Sequence, residues 1–251
     1  MTLRKFLAWC VHFYTATGLL AAAGIAVLLV RGGEAAIQQA FILMFIATVI
    51  DTTDGWLARR ADVKKYAPGF DGRRLDDLTD FHTYTTLPLL LIWRIEVLPA
   101  GQSWWLLLPL LASAYGFCQT QAKTEDNYFL GFPSYWNIVA FYLYILALPG
   151  WPALLLIIVL ALLTFVPSRY LYTTRGGKLS LTTNLLGSVW AIFLLWIFWQ
   201  WRATPHWVII GSLAFPLYYL TCSWAISINY WRSKDKRRYI VKAEPIEETG
   251  R

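Results

Sequence analysis

Residues 51–80 read DTTDGWLARRADVKKYAPGFDGRRLDDLTD, a polar stretch inside a chain that is otherwise largely apolar. Seven of the chain's 15 acidic residues lie within this stretch. The 251 residues are 57% hydrophobic and only 15% charged, whereas an ordinary soluble domain contains about 25% charged residues. The composition favours a membrane protein, in which this stretch concentrates carboxylates at the edge of a membrane span.

Apolar runs of about 20 residues, the length that crosses the core of a bilayer, recur along the whole chain. They predict an all-α, polytopic membrane bundle of about eight transmembrane helices, and a count of six or seven also fits if one pair is re-entrant. The predicted spans are residues 8–30, 37–56, 80–98, 103–121, 134–149, 153–169, 181–201 and 207–229. We expect residues 1–230 to form one membrane-embedded domain and the basic residues 231–251 to form a flexible tail. The three cysteines fall within predicted spans and show no disulfide pattern.

Basic residues divide unequally between the two sets of loops that eight spans create. One set contains Lys5, Arg59, Arg60, Lys64, Lys65, Arg73, Arg74, Lys123, Arg169, Arg175, Lys178 and the tail from Arg232 to Lys242. The other set contains only Arg31, Arg94 and Arg202. Because basic residues concentrate on the cytoplasmic side of membrane proteins, we expect the first set, both termini and the carboxylate-rich stretch to face the cytoplasm. Basic residues dispersed along one membrane face also make nucleic-acid binding a poor explanation of the net charge of +7.

The spacing of the aspartates places them on two helix faces. Asp51 and Asp54 are three residues apart and Asp76 and Asp80 are four apart, so each pair shares a face of its helix. Two antiparallel helices joined by the loop between them bring the four carboxylates together. Such a cluster repels itself unless it is protonated or binds cations, and oxygen-rich sites suit magnesium, manganese or calcium. We therefore predict a site for two divalent ions, a common arrangement for displacement at phosphorus.

Small residues beside the carboxylates fit a bound phosphate. Gly55 and Ala58 leave the helix backbone accessible, and Arg59 is placed to contact phosphate oxygens. A plainer interpretation of the aspartates is that they are solvated or paired with neighbouring Lys and Arg. That interpretation suits Asp62, Asp71 and Asp77, of which Asp77 is placed to pair with Arg73 or Arg74.

The same residues resemble the signature of the CDP-alcohol phosphatidyltransferases, D-x2-D-G-x2-A-R followed by G-x3-D-x3-D. The matching positions are Asp51, Asp54, Gly55, Ala58, Arg59, Gly72, Asp76 and Asp80. The spacer of residues 60–71 is longer than in most members and is similar to that of a bacterial subgroup that joins choline to CDP-diacylglycerol. The segments VHFYTATG at 11–18, TEDNYFLGFPSYWN at 124–137 and LTFVPSRYL at 163–171 also resemble that subgroup.

The resemblance implies an activity and a set of roles. It implies transfer of a phosphatidyl group from CDP-diacylglycerol to choline, giving phosphatidylcholine and CMP, in a bacterial inner membrane. Mn²⁺ or Mg²⁺ would be held by Asp51, Asp54, Asp76 and Asp80, with Asp80 as the catalytic base. CDP-diacylglycerol would be bound by Gly55, Ala58, Arg59 and Gly72. Since family members are often dimers, a homodimer is a further expectation.

Recognition of choline calls for aromatic faces, because a trimethylammonium group donates no hydrogen bonds. The segment 124–137 supplies aromatic and acidic side chains on the predicted cytoplasmic side, and they form the candidate choline site: Glu125, Asp126, Tyr128, Phe129, Phe132 and Trp136. The alternative is an interfacial aromatic belt, which membrane proteins generally have. His12, Asn137 and Asn184 are polar residues near predicted cytoplasmic helix ends, and their roles stay open.

Two other functions fit the sequence less well. One is a related transferase that uses another alcohol, such as serine, inositol or a glycerol derivative, with Arg169 and Arg175 available for a phosphorylated acceptor. The other is a cation-binding transporter. Transporters place ionisable residues near the bilayer midplane and contain paired repeats, whereas these aspartates cluster at one surface and the sequence shows no repeat.

Overall fold

The computed structural model describes residues 2–120, 124, 128–171 and 180–243, with side chains as far as residue 233. Its α-helices in chain order are α1 (Leu3–Arg31), α2 (Glu34–Arg60), α3 (Val63–Tyr66), α4 (Gly72–Asp80), α5 (Leu87–Arg94), α6 (Leu107–Cys118), α7 (Trp136–Ile145), α8 (Gly150–Leu163), α9 (Ser180–Gln200), α10 (His206–Ser212) and α11 (Ala214–Ala243). A π-helical segment, Phe81–Thr86, joins α4 to α5, and 3₁₀ turns cover Ser103–Leu106 and Trp201–Ala203. Two short strands complete the described elements: β1 (Tyr128–Leu130) and β2 (Arg169–Leu171).

Four helical segments of the described chain are long and apolar enough to cross a membrane: Leu3–Arg31, Glu34–Arg60, Ser180–Ala203 and His206–Ser233. Shorter apolar helices cover Ser103–Cys118, Trp136–Ile145 and Gly150–Leu163. The protein is therefore a mostly helical, membrane-type bundle, as expected. The count of eight crossings stays a prediction.

The third predicted span begins earlier than expected. Helix α4 starts at Gly72 because the Asp71 carboxylate accepts a hydrogen bond from the Arg74 backbone N–H at 3.0 Å, which caps the helix. The helical path then continues through the π-helical segment to Arg94. The polar end of this path carries Asp76 and Asp80, and its apolar end enters the core.

Helix α1 packs along both α2 and α4 through small residues. A side chain at Gly18 would meet Thr79 Cγ2 at 2.5 Å, and one at Gly24 would meet Leu43 at 2.8 Å. These glycines allow α1 to approach its two neighbours closely. The consequence is that the carboxylate-bearing ends of α2 and α4 share one supporting helix.

A two-stranded antiparallel sheet departs from the expected all-α fold. β1 pairs with β2 in the register Tyr128↔Leu171, Phe129↔Tyr170 and Leu130↔Arg169. Helix α11 holds this sheet, because Ser227 Oγ accepts from the Arg169 N–H at 2.6 Å and Ser223 Oγ accepts from the Leu171 N–H at 3.2 Å. The sheet ties the segment before α7 to the one after α8.

The last helix runs across the predicted start of the tail. Helix α11 continues to Ala243, past position 231. The division of the chain at residue 230 and the flexibility of the tail stay predictions. The three cysteines, Cys10, Cys118 and Cys222, are free, as expected.

Candidate active site

Three of the predicted carboxylates converge at one end of the bundle. Asp51 comes from the last turns of α2, whereas Asp76 and Asp80 lie one turn apart on α4. One oxygen from each of the three carboxylates lies within 4.8 Å of the other two. The groups are half-buried, so solvent screens their mutual repulsion only in part. The antiparallel arrangement expected from the sequence brings this trio together.

Tyr84 also contacts Asp51. This residue was not identified from the sequence. Its hydroxyl donates a hydrogen bond to Asp51 Oδ2 at 2.7 Å, and its ring is buried. Tyr84 lies in the π-helical segment directly after Asp80, an irregularity that is frequent at functional sites. The signal that could have identified it is its position four residues after Asp80, on the same helix face.

Asp54 lies outside the group of three and has a different environment. It is 6% exposed, and Oδ2 accepts a hydrogen bond from Thr15 Oγ1 of α1 at 2.8 Å. The buried carboxylate thus receives a hydrogen bond from α1. It also lies one turn of α2 away from Asp51. The structure therefore gathers three of the four predicted metal residues and places the fourth next to them on α2.

The residues predicted to bind CDP-diacylglycerol lie near this trio, three on α2 and one at the start of α4. Gly55 and Ala58 are half-buried and Arg59 is exposed on the last turns of α2. A side chain at Gly55 would meet only Arg59 Nη1, at 3.4 Å, so this glycine leaves open space beside the carboxylates. At Gly72, by contrast, an added side chain would meet the His12 ring at 2.6 Å. Gly72 is thus required locally by the packing of His12.

His12 is buried beside the site and carries an unsatisfied polar atom. The residue is 5% exposed and packs against Phe70, with ring centroids 4.6 Å apart. Its Nε2 has no hydrogen-bond partner among the described residues. Burying a polar atom without a hydrogen bond costs free energy, so an apolar side chain would be more stable at this position.

The remaining acidic residues of the opening stretch, Asp62, Asp71 and Asp77, lie outside the converging trio. Asp77 pairs with Arg73 at 3.9 Å, one of the two partners expected for it. Asp71 caps α4, and Asp62 is exposed in a left-handed turn at φ 50°. These three side chains are separate from the converging trio.

The four described residues of the candidate choline site lie in two different environments. Glu125 and Asp126 lie outside the described residues. Phe132 is 5% exposed and Trp136 is fully buried, with Trp136 Nε1 donating to Ser113 Oγ at 2.8 Å. These two aromatic side chains belong to the hydrophobic core.

Tyr128 and Phe129 lie on β1 and are half-buried. The Arg169 guanidinium lies over the Tyr128 ring, 5.4 Å from its centroid, and 3.5 Å from the centroid of Tyr230. A cation of the protein itself thus faces the aromatic surface of Tyr128. The role of this segment in choline binding stays a prediction.

The donor set of the trio fits a hard divalent cation. Three carboxylates supply oxygen ligands only, which suits magnesium or manganese and not the softer metals that thiolates or imidazoles select. A cation among them would also relieve their repulsion. The identity and number of the ions are matters for measurement.

Comparison with known proteins matches the chain to one family and to named relatives. Residues 12–167, more than half of the chain, match the model of the CDP-alcohol phosphatidyltransferase family. The chain is 34% identical to the phosphatidylcholine synthase of Pseudomonas aeruginosa over 239 residues, which cover 92% of this chain and 94% of the relative. It is 42% identical to that of Legionella bozemanae over 135 residues, covering 53% and 62% of the two chains, and 33% identical to that of Borreliella burgdorferi over 174 residues, covering 69% and 73%.

The matched range contains the carboxylate trio, its supporting helix α1 and the small residues of α2. It ends before α9, so the last three helices lie outside it. On the motif, the converging carboxylates and these matches, the chain belongs to the CDP-alcohol phosphatidyltransferase family and is a phosphatidyltransferase.

Proposed function

We propose that the enzyme transfers the phosphatidyl group of CDP-diacylglycerol to choline, giving phosphatidylcholine and CMP. The observation that carries the proposal is the convergence of Asp51, Asp76 and Asp80 within 4.8 Å at one end of a membrane-type bundle. The names of the relatives support choline as the acceptor. The choline oxygen forms a bond to the phosphorus that bears diacylglycerol, and the bond from that phosphorus to the CMP oxygen breaks.

Each residue of the site has a proposed task. Asp80 accepts the proton of the choline hydroxyl as the new bond forms. Asp51, Asp54 and Asp76, together with Asp80, would hold the divalent ions, Mn²⁺ or Mg²⁺. When bound, these ions would neutralise charge on the pyrophosphate and on the leaving CMP.

The substrate is bound beside the carboxylates. Gly55 and Ala58 leave space for the CDP group along α2, and the exposed Arg59 contacts its phosphates. Gly72 contributes by admitting His12 between α1 and α4.

We further propose that the protein lies in a bacterial inner membrane with eight crossings and with this end of the bundle in the cytoplasm. The unequal distribution of basic residues between the two sets of loops supports this orientation. It would give the site direct access to cytoplasmic choline.

A panel of acceptors tests the function. Purified protein receives CDP-diacylglycerol, Mn²⁺ and choline, serine, inositol or glycerol 3-phosphate, and the lipid product is identified by mass spectrometry. We expect phosphatidylcholine and an equal amount of CMP with choline, and no lipid product with the other alcohols. Product formed from another alcohol and not from choline would contradict the proposal while leaving the phosphatidyltransferase assignment intact.

A further inference from the structure

Three tyrosine side chains from separate elements form a row that begins at the carboxylate trio. Tyr84, whose hydroxyl bonds Asp51, has its ring 6.1 Å from the ring of Tyr135, the residue directly before α7. The Tyr135 ring in turn lies 5.8 Å from the ring of Tyr219 on α11, and both distances join ring centroids. We call Tyr84, Tyr135 and Tyr219 the tyrosine row. It brings aromatic surface next to the carboxylates.

The two outer rings of the tyrosine row are fixed, and the middle one keeps exposed surface. Tyr84 and Tyr219 are each 7% exposed, and Tyr219 Oη donates to the Leu171 carbonyl at 3.1 Å. Tyr135 is half-buried. It follows Ser134, whose φ of 57° is a conformation that costs a non-glycine residue free energy and is concentrated at functional sites. Tyr135 is therefore the member of the row that has surface left for a ligand.

The size of choline limits where its cationic group can lie during the reaction. Three bonds of about 1.5 Å each separate its hydroxyl oxygen from its nitrogen, so the two atoms are at most about 4 Å apart. An acceptor whose hydroxyl meets Asp80 must therefore place its trimethylammonium group among the side chains that adjoin the trio. Tyr84 and its neighbour Tyr135 are aromatic side chains in that position.

Tyr135 differs in its surroundings from the aromatic residues that the sequence suggested for choline. Phe132 and Trp136 belong to the hydrophobic core, and the Tyr128 ring faces the Arg169 guanidinium. Tyr135 lies instead beside the tyrosine that bonds a carboxylate of the trio. A quaternary ammonium donates no hydrogen bonds and is attracted to the face of such a ring.

We propose that the ring of Tyr135 binds the trimethylammonium group of choline and so determines the choice of acceptor, and that Tyr219 holds this ring in place. Tyr219 is a positioning residue, and it lies on a helix beyond the residues 12–167 that match the family. The proposal rests on the proposed function, since choline is the acceptor whose hydroxyl meets Asp80.

A neutral analogue of choline separates recognition of the cation from a general loss of activity. In 3,3-dimethylbutan-1-ol a carbon atom replaces the nitrogen, so the alcohol keeps the shape of choline without its charge. The quantity measured is the ratio of kcat/KM for choline to kcat/KM for this alcohol, with CDP-diacylglycerol and Mn²⁺ fixed. Tyr135→Leu removes the ring, whereas Tyr135→Phe keeps it.

We expect Tyr135→Leu to lower this ratio by about tenfold, the factor that loss of one cation–π contact supplies, and Tyr135→Phe to preserve it. An equal loss for both alcohols in Tyr135→Leu, or the same ratio as in the unaltered enzyme, would overturn the proposal. Absence of phosphatidylcholine with the unaltered enzyme would contradict the proposed function instead.

Neighbouring tyrosines on α11 provide the test of positioning and its control. Tyr219→Leu should lower the ratio by a smaller factor, and Tyr219→Phe should restore it because the ring that packs on Tyr135 is kept. Tyr218→Leu should leave the ratio unchanged, since the Tyr218 hydroxyl pairs with Thr183 of α9 at 3.1 Å. An unchanged ratio in Tyr219→Leu, or an equal fall in Tyr218→Leu, would exclude the role of Tyr219.

Inhibition by tetramethylammonium decides the matter if the neutral alcohol gives too little product to measure. This ion carries the cation of choline without its hydroxyl. We expect it to compete with choline, with a Ki that rises about tenfold in Tyr135→Leu and stays the same in Tyr135→Phe. A Ki that is equal in all three proteins would overturn the proposal.

Fluorinated phenylalanines at position 135 keep the proposal testable if Tyr135→Leu does not fold. Each added fluorine weakens the attraction of the ring for a cation and changes its size little. We expect the KM for choline to rise stepwise with the number of fluorines while the KM for CDP-diacylglycerol stays constant. A choline KM that does not depend on the number of fluorines would overturn the proposal.

Discussion

At the scale of single residues, the Asp51 carboxylate is held from two sides. The carboxylates of Asp76 and Asp80 approach it across the α2–α4 contact, and the buried hydroxyl of Tyr84 donates to its Oδ2 at 2.7 Å. A hydrogen bond from behind fixes the orientation of a metal-binding carboxylate and so raises its affinity for the ion. We therefore expect Tyr84 to act as a positioning residue.

Loss of the Tyr84 hydroxyl should weaken metal binding. Tyr84→Phe keeps the ring and removes the hydrogen bond, and we expect the Kd for Mn²⁺, measured by electron paramagnetic resonance on purified protein, to rise about tenfold or more. Tyr144→Phe is the control, because its hydroxyl bonds Arg202 at the opposite end of the bundle. An unchanged Mn²⁺ affinity in Tyr84→Phe would exclude the positioning role.

A comparison of variants at Asp80 and Asp77 distinguishes the loss of a proton acceptor from the loss of a surface charge. Both substitutions, Asp80→Asn and Asp77→Asn, remove one negative charge from α4, but only Asp80 lies in the trio. We expect Asp80→Asn to lower kcat by at least about 10²-fold, since the proton acceptor is lost, and Asp77→Asn to leave kcat nearly unchanged. Steady-state kinetics with saturating Mn²⁺ provide the comparison, and equal effects of the two variants would argue against Asp80 as the base.

At the scale of elements, α1 supports the site at three successive positions. Its face places His12 against Gly72, Thr15 on Asp54 and Gly18 against Thr79. These positions are spaced by three residues, so they form one stripe along the helix. The geometry of α4 relative to α2 depends on that stripe.

A methyl group at Gly18 should disturb the packing of α1 on α4, and a smaller side chain at Thr79 should restore it. Gly18→Ala places a Cβ 2.5 Å from Thr79 Cγ2, and overpacking of this kind costs about 1–3 kcal/mol. Thr79→Ser removes the clashing methyl and keeps the hydroxyl that bonds Leu75 O. We expect the Tm of Gly18→Ala in detergent to fall and that of the double variant to recover. A double variant no more stable than Gly18→Ala would show that the clash is not the cause.

The sequence predicted the elements that carry strong local patterns. The apolar runs and the aspartate spacing identified α1, α2 and the facing of Asp51, Asp76 and Asp80, because helix periodicity and motif spacing are local properties. The aspartate spacing already placed Asp76 and Asp80 on a helix, but the start of that helix at Gly72 and its cap by Asp71 were not predicted. Residue 80 was predicted as the start of the apolar span, and that boundary followed hydrophobicity alone.

The remaining features depend on contacts between distant segments. Strands of three residues, β1 and β2, have no period long enough to recognise, and they pair across about 40 positions of the chain. Phe132 and Trp136 were predicted as part of a choline site and are buried, because the sequence signal of an aromatic residue does not distinguish a core position from a binding position. The hydrogen bond from Tyr84 depends on the docking of two helices.

At the scale of the whole molecule, some described basic residues of the two sets make contacts at opposite ends of α1 and α2. At one end, Arg4 Nη1 donates to Tyr66 Oη at 2.7 Å beside the carboxylate-rich loop. At the other, Arg202 pairs with Glu34, and Arg94 Nε donates to the Leu29 carbonyl at 3.3 Å. These contacts concern α1 and α2 only, and the alternation of the other predicted crossings stays a prediction.

Labelling of two exposed loop positions tests the orientation. In a cysteine-free background, Gly69→Cys lies in the carboxylate-rich loop and Ala100→Cys lies in the loop after α5. We expect a membrane-impermeant maleimide to label Ala100→Cys in intact spheroplasts and to label Gly69→Cys only after permeabilisation. Labelling of both positions from the same side would contradict a crossing by the segment Gly72–Arg94.

The central claim is that the three carboxylates form a divalent-metal site on which phosphatidyl transfer depends. Its most direct test measures bound Mn²⁺ and turnover in the same chelator-stripped, purified sample as Mn²⁺ is added back. We predict no phosphatidylcholine without metal and turnover that rises in parallel with bound Mn²⁺ in the unaltered enzyme. Full turnover in a sample shown to contain no divalent metal would contradict the claim.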